Sequence, residues 1–303
     1  MIFSVFLFIL CLLSLIMTIV LLRINKAGTE KNTKPAKDVG KFYNQTTEKF
    51  LEVYGEIIQA FRTNNVEEYL EYTAKNMRLK EKMHVLDAGC GVAGPAVFFA
   101  KQIPNLKLTA LSISKVQIEK AKLKISAAGL ENSIEAIEGD FHQVSSIFKK
   151  GQFDRAYFLE SYGHSGDKEK LLHEIWEVLK PGGMVYIKDL FEREVEDEWE
   201  QYYIHKICDD INESYQYHIG TLYETLSILR KKGYIVHYVK IPEVKIGDFE
   251  HLSISNEFQN LFNIGKIDSW DGYVFPIDFF EILAEKPVQL SEKDRHLYFM
   301  NKS

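Results

Sequence analysis

The sequence predicts an α/β protein: a doubly wound, mostly parallel seven-stranded sheet carrying added helical parts. Two observations lead to this. From residue 83 onward short apolar strands alternate with helical patterns, the rhythm of strand–helix–strand units. The first of these strands, His84–Asp87, runs into Ala88-Gly89-Cys90-Gly91 and then a helix, a turn in which bare backbone can lie against a ligand. A third observation concerns the N-terminus, where Ile2 to Leu22 is an uncharged apolar run.

That run is long enough to cross a bilayer as a helix, which takes about 20 residues. No basic residue precedes it and no Ala-x-Ala follows it, which favours a retained anchor over a cleaved signal peptide. Arg23, Lys26, Lys31, Lys34 and Lys37 follow, so the expected topology is a single-pass anchor at 1–22 with the rest cytoplasmic. Residues 23–40 read as a flexible linker. Residues 41–62 space Phe42, Phe50, Tyr54, Ile58 and Phe61 helically, and 65–77 form a second short helix. Together they make a helical cap over 41–78.

The core is expected at 79–287. Its strands are placed at 84–87, 106–111, 133–138, 153–159, 184–190, 234–241 and 277–285. Helices are placed at 94–102, 115–128, 168–179 and 220–232. Pro181-Gly182-Gly183 is read as a turn into the fifth strand. Within an insertion at 191–218, Trp199, Tyr203, Ile207, Ile211 and Tyr215 recur every four residues, the stripe of an amphipathic helix. Residues 288–303 form a tail.

Composition limits the function. The 303 residues hold 37 Lys and Arg against 43 Asp and Glu, a net charge of −6. No basic block is present, so no nucleic-acid partner is expected. Cys11, Cys90 and Cys208 are widely spaced; they show neither disulfide nor metal spacing, and no metal ligands are assigned. Asp209-Asp210 is read as a solvated acidic pair.

Three motifs in order resemble the class I S-adenosylmethionine-dependent methyltransferases: Val85-Leu86-Asp87-Ala88-Gly89-Cys90-Gly91, then Gly139-Asp140, then Leu179-Lys180-Pro181-Gly182-Gly183. A glycine turn alone would fit a dinucleotide-binding protein equally well. The resemblance covers roughly residues 41–287 and implies S-adenosylmethionine as cofactor. Gly89 and Gly91 would let backbone approach its methionine part, and Asp87 would face its amino group. Asp140 would accept from the adenine amine, with Phe141 on the ring. The place of the family's ribose-binding acid reads Leu111-Ser112-Ile113-Ser114. A neutral residue there, with Gln117 on the next helix, resembles the subgroup of cyclopropane fatty acid synthases and sterol and prenyl-diphosphate C-methyltransferases. Ser112 and Gln117 are therefore the ribose candidates; the competing role for Ser112 is a helix N-cap, which Ser114 fits better.

The cap motifs Tyr43-Asn44-Gln45-Thr46-Thr47 and Phe50 to Gly55 also resemble sterol and terpenoid methyltransferases. This makes Tyr43 a cofactor contact and lid and Tyr54 an acceptor contact; Tyr203, among the aromatics of the insertion, is a further acceptor candidate. Glu160 and His164, after the fourth strand, match the sterol enzymes' acid and histidine. Methylation of an alkene carbon leaves a carbocation, which a carboxylate stabilises in a dry site and a base then quenches. Glu160 would stabilise the cation or take the proton, with His164 the alternative base. Plain structural roles are helix-start capping or an ion pair for Glu160 and a solvated loop for His164. The expected reaction is C-methylation of a lipophilic isoprenoid or sterol-like acceptor, with Mg2+ needed only if that acceptor is a diphosphate. The alternatives are O- or N-methylation of a lipophilic small molecule, and a non-catalytic scaffold.

Overall fold

A computed structural model describes residues 36–57, 65–243 and 276–288. The expected membrane span at 2–22 and the tail beyond 288 lie outside these residues. Among the described residues, no helix is long and apolar enough to cross a membrane.

The strands are β1 (His84–Ala88), β2 (Lys107–Ser112), β3 (Ile134–Glu138), β4 (Phe153–Leu159), β5 (Leu179–Glu192), β6 (Ile235–Lys240) and β7 (Ile277–Glu285). They form one seven-stranded sheet in the order β3-β2-β1-β4-β5-β7-β6. β1 to β5 pair in parallel, and β7 is antiparallel to both β5 and β6. The order reverses between β1 and β4, so their C-terminal ends open the crevice where such sheets take ligands.

The helices are α1 (Ala36–Tyr54), α2 (Val66–Asn76), α3 (Gly94–Gln102), α4 (Lys115–Ala127), α5 (Lys168–Val178), α6 (Glu198–Tyr215) and α7 (Leu222–Lys232). Both sheet faces are covered. Val85, Ala110, Tyr157 and Tyr186 pack against Leu70 of α2, Phe99 of α3 and Ile118 of α4. Leu86, Phe158, Val185 and Ile187 pack against Leu172 and Ile175 of α5 and Leu229 of α7. Central strands buried on both faces read as continuous apolar runs, which is why they stand out in the sequence.

Three boundaries differ from the sequence reading. α1 begins at Ala36, inside the expected linker, and ends at Tyr54 rather than running to 62. β5 extends to Glu192, because β7 pairs with it as far as Ile277. The turn expected at 181–183 is a bulge within β5: between the pairs Phe153↔Leu179 and Arg155↔Met184, β5 holds three residues more than β4, and Gly182 has φ +78°.

Lys286 closes the C-terminus of α5. Its buried ammonium donates to the carbonyls of Trp176 and Leu179 at 2.7 and 2.8 Å, acceptors that the helix itself leaves unpaired. Lys286→Met is expected to lower stability by about 1–3 kcal/mol in urea unfolding, while leaving ligand affinity at the distant crevice unchanged.

Candidate active site

The first wall of the crevice is the turn after β1. Gly89 has φ +94° and Gly91 φ +54°, conformations that cost most L-residues 1–2 kcal/mol or more. At Gly89 a Cβ would also lie 2.4 Å from Cβ of Ser161. At Gly91 nothing lies within 4 Å of that position, so its backbone faces open space. Asp87, 3% exposed at the end of β1, has no hydrogen-bond partner for its buried Oδ2. Burial pushes its carboxyl up to about 7. A carboxylate so placed calls for a cationic ligand group.

The second wall follows β2. Ser114 is the N-cap of α4, accepting from the Gln117 amide N–H at 3.2 Å. That leaves the Ser112 hydroxyl to donate to Oε1 of Gln117 at 2.7 Å. A hydroxyl and an amide can each donate and accept, as a pair of ribose hydroxyls requires. Asn44 of α1 accepts from the Ser114 hydroxyl at 2.8 Å and from the Val116 N–H at 3.3 Å, fastening the cap beside this wall. After β3, Asp140 Oδ1 accepts from the His142 backbone N–H and contacts its Nδ1, both at 2.8 Å. Although burial opposes it, these bonds hold the Asp140 carboxyl below its ordinary pKa. Phe141 beside it packs edge-on against Phe158.

The third wall is the turn after β4. Glu160 has φ +59°, and its backbone N–H donates to the Lys188 carbonyl at 2.8 Å. Its carboxylate accepts from Nζ of Lys188 at 2.7 Å, with the two side chains 5% and 4% exposed. The expected ion pair is thus present, and the carboxylate still lines the cavity. His164 is buried, not a solvated loop residue. Its Nδ1 donates to the Gln216 carbonyl at 2.9 Å; because a carbonyl only accepts, the proton sits on Nδ1 and Nε2 accepts from the Tyr43 hydroxyl at 2.7 Å. Burial lowers the imidazole to about 4, so it is neutral at physiological pH. Burial also raises the Tyr43 hydroxyl above its ordinary pKa.

These walls enclose about 1190 Å³ of space, part of it open to solvent. Tyr43, Asp87, Gly89, Gly91, Ser112, Gln117, Asp140, Phe141, Glu160 and His164 all line it. Two expected residues do not. Tyr203 is 58% exposed on the outer face of α6: the buried stripe of that helix is Ile204, Ile207, Cys208 and Ile211, which turns 203 to solvent. Tyr54 packs on Phe50 and leaves the lining to Phe50 and Leu51. Asp209 lies on the solvent side, 3.7 Å from His205.

Two contributors were not assigned from sequence. Tyr217 stacks on His164 at 4.0 Å between centroids, brought there by a left-handed Gln216 that ends α6. Lys188 carried a signal: a lysine within a central strand is costly to bury unless paired.

Residues 85–183 match the sequence profile of a methyltransferase domain family. Fold, site and match make this region similar to the class I, S-adenosylmethionine-dependent methyltransferase domains. The chain is 34% identical over 150 residues to a sterol 24-C-methyltransferase of Gibberella zeae, covering 47% of this chain and 39% of that protein. It is 32% identical over 166 residues to the Neurospora crassa sterol 24-C-methyltransferase, covering 52% and 43%. The chain thus spans under half the length of these curated relatives. Among solved structures it resembles the 4+2 cyclase SpnF, with TM-score 0.67, 19% identity and coverage of 83% and 96%. It also resembles geranyl diphosphate C-methyltransferase of Streptomyces coelicolor, with TM-score 0.58, 16% identity and coverage of 72% and 78%. At such identities these two likenesses concern the fold.

The raised Asp87 carboxyl sets a pH dependence. An ammonium binds the ionised form, so affinity for S-adenosylhomocysteine is expected to be full above pH 7 and to fall by up to about tenfold per pH unit below it. Calorimetry between pH 5 and 8 checks this, with Asp87→Asn weaker throughout and pH-independent.

Proposed function

We propose that this protein transfers a methyl group to an alkene carbon of an uncharged isoprenoid or sterol-like acceptor. The carrying observation is Glu160, a buried carboxylate paired with Lys188 and lining a cavity that also carries the aromatic side chains of Tyr43, Phe50, Phe141 and Tyr217. Asp87, the Gly89–Gly91 backbone, Ser112 with Gln117, and Asp140 with Phe141 would hold S-adenosylmethionine. Asp87 and the glycine turn fit it physically: a buried acid with an unpartnered Oδ2 for its ammonium, and open space above the Gly91 backbone for its chain.

When bound, the cofactor supplies an electrophilic methyl group, and an alkene that accepts it becomes a carbocation. Glu160 stabilises that cation from one side, while Phe50, Tyr43 and Tyr217 offer aromatic faces to it. The cation must lose a proton to give an alkene again. The Tyr43 hydroxyl takes that proton as its own passes to Nε2 of His164. A neutral imidazole suits this step, because it adds no repulsion before transfer and the proton of such a cation is acidic enough for a weak base. Four carboxylates, Glu56, Asp87, Asp140 and Glu160, line the cavity. They oppose an anionic diphosphate and support an uncharged acceptor, for which no Mg2+ is called. The apolar run Ile2–Leu22 supports a membrane anchor that keeps the domain near bilayer-dissolved acceptors.

A second reading, O- or N-methylation, draws on the same Tyr43–His164 pair, which would equally deprotonate a hydroxyl or amine. The two differ in what Glu160 does. With a panel of prenols and sterols and radiolabelled cofactor, Glu160→Gln is expected to cut turnover by about 10²-fold with cofactor affinity retained. Unchanged turnover would remove the cation-stabilising role.

A further inference from the structure

Glu281 is fully buried in the middle of β7, where a carboxylate is costly unless its charge is balanced. Its register partners are Lys188 on β5 and Lys240 on β6, so the three side chains share one face of the sheet. Oε2 of Glu281 accepts from the Tyr72 hydroxyl at 3.2 Å and from Nδ2 of Asn76 at 3.1 Å, both on α2. Nζ of Lys240, 27% exposed, lies 3.9 Å away and also reaches Glu243. Tyr186, two residues before Lys188 on β5, faces Glu281 as well. Burial raises the Glu281 carboxyl above its ordinary pKa, and Lys240, Tyr186, Tyr72 and Lys188 pull it back.

On the other side of Lys188 stands Glu160, 2.7 Å away. It follows Leu159, the β4 partner of Lys188, and its left-handed φ returns its carboxylate to the lysine. Charges therefore alternate in a row from cavity to surface: Glu160, Lys188, Glu281, Lys240. An isolated Glu160–Lys188 pair is neutral, and its field on a cation in the cavity is correspondingly weak. Glu281, the register neighbour of Lys188, brings the formal charge of the buried trio to about −1, and Lys240 balances it only from the partly exposed end of the row.

We propose that Glu281 is a positioning residue for methyl transfer, sharing Lys188 so that Glu160 keeps its negative field toward the acceptor. This rests on the reading of Glu160 as the cation-facing carboxylate. Asp189, buried next to Lys188 and held by the N–H groups of Gly163 and Leu190, has its carboxyl pushed up to about 7 by burial, so it adds charge of the same sign only as it ionises.

The test compares Glu281→Gln, Glu160→Gln, the double variant and Lys240→Met in the full chain, by kcat, acceptor KM, cofactor affinity and the pH dependence of kcat. Glu281→Gln is expected to lower kcat about tenfold with KM and cofactor affinity unchanged, and Glu281→Asp to recover part of the loss. The double variant is expected to be no slower than Glu160→Gln alone. Lys240→Met, at the surface end, is expected to move the acid limb of the kcat profile to higher pH, even if Glu281→Gln does not fold. Wild-type kcat in Glu281→Gln, fully additive losses in the double variant, or an unmoved acid limb in Lys240→Met would overturn the proposal. Wild-type turnover in Glu160→Gln would instead overturn the reading on which it rests.

Discussion

The contact between Gly89 and Ser161 joins the two halves of the site. The Ser161 hydroxyl donates to the Ala88 carbonyl at 2.5 Å, and the space it occupies leaves no room for a Cβ at 89. The turn that would cradle the methyl donor and the turn that would face the acceptor are therefore packed as one piece at the reversal point of the sheet. Their separation would set the distance across which a methyl group moves, and holding reactants at a fixed separation is a large part of what such a site contributes to rate. The left-handed Glu160 next to Ser161 is a strained position, and strain of this kind persists where surrounding contacts over-determine it. Here those contacts are the Ser161 hydrogen bond on one side and Lys188 on the other.

Charge is distributed across the cavity with a consistent logic. Asp87 has its pKa raised because burial outweighs the pull of the Tyr157 hydroxyl and no cation among the described residues pairs with it. Asp140 has its pKa lowered because the hydrogen bonds from His142 outweigh burial. Glu160 is answered by Lys188, and His164 is kept neutral. Asp87, Asp140 and His164 thus differ in protonation behaviour within one crevice, each for a visible reason, and such separation is how one fold assigns separate roles to similar groups. The SpnF likeness shows that this fold also houses a cyclase, so it is these side chains, not the fold, that argue for methyl transfer.

Much of this was legible in the chain, and for physical reasons. Strands buried on both faces are largely apolar, and glycine turns must be glycine, so β1, β2, β4 and β5 and the cradle announce themselves. Ser112 and Ser114 could be told apart because only one stands at the helix start. What escaped depends on three-dimensional register. Tyr203 shares helical spacing with Ile207 and Ile211, yet it sits at the edge of the buried stripe and faces water. Tyr217 reaches His164 only because α6 ends in a left-handed residue, for which glutamine gives no local sign. The row Lys188, Glu281, Lys240 joins residues from three strands, and no spacing in the sequence predicts which strands will be neighbours when β7 inserts between β5 and β6.

The most direct test of the account is the position of the transferred methyl group. The full chain would be incubated with S-adenosylmethionine carrying a 13C-methyl group and with uncharged prenols and sterols, and the product examined by NMR. The account predicts the label on a carbon adjacent to an alkene, with one hydrogen lost from the acceptor skeleton. A label found on oxygen or nitrogen, with that skeleton intact, would contradict it.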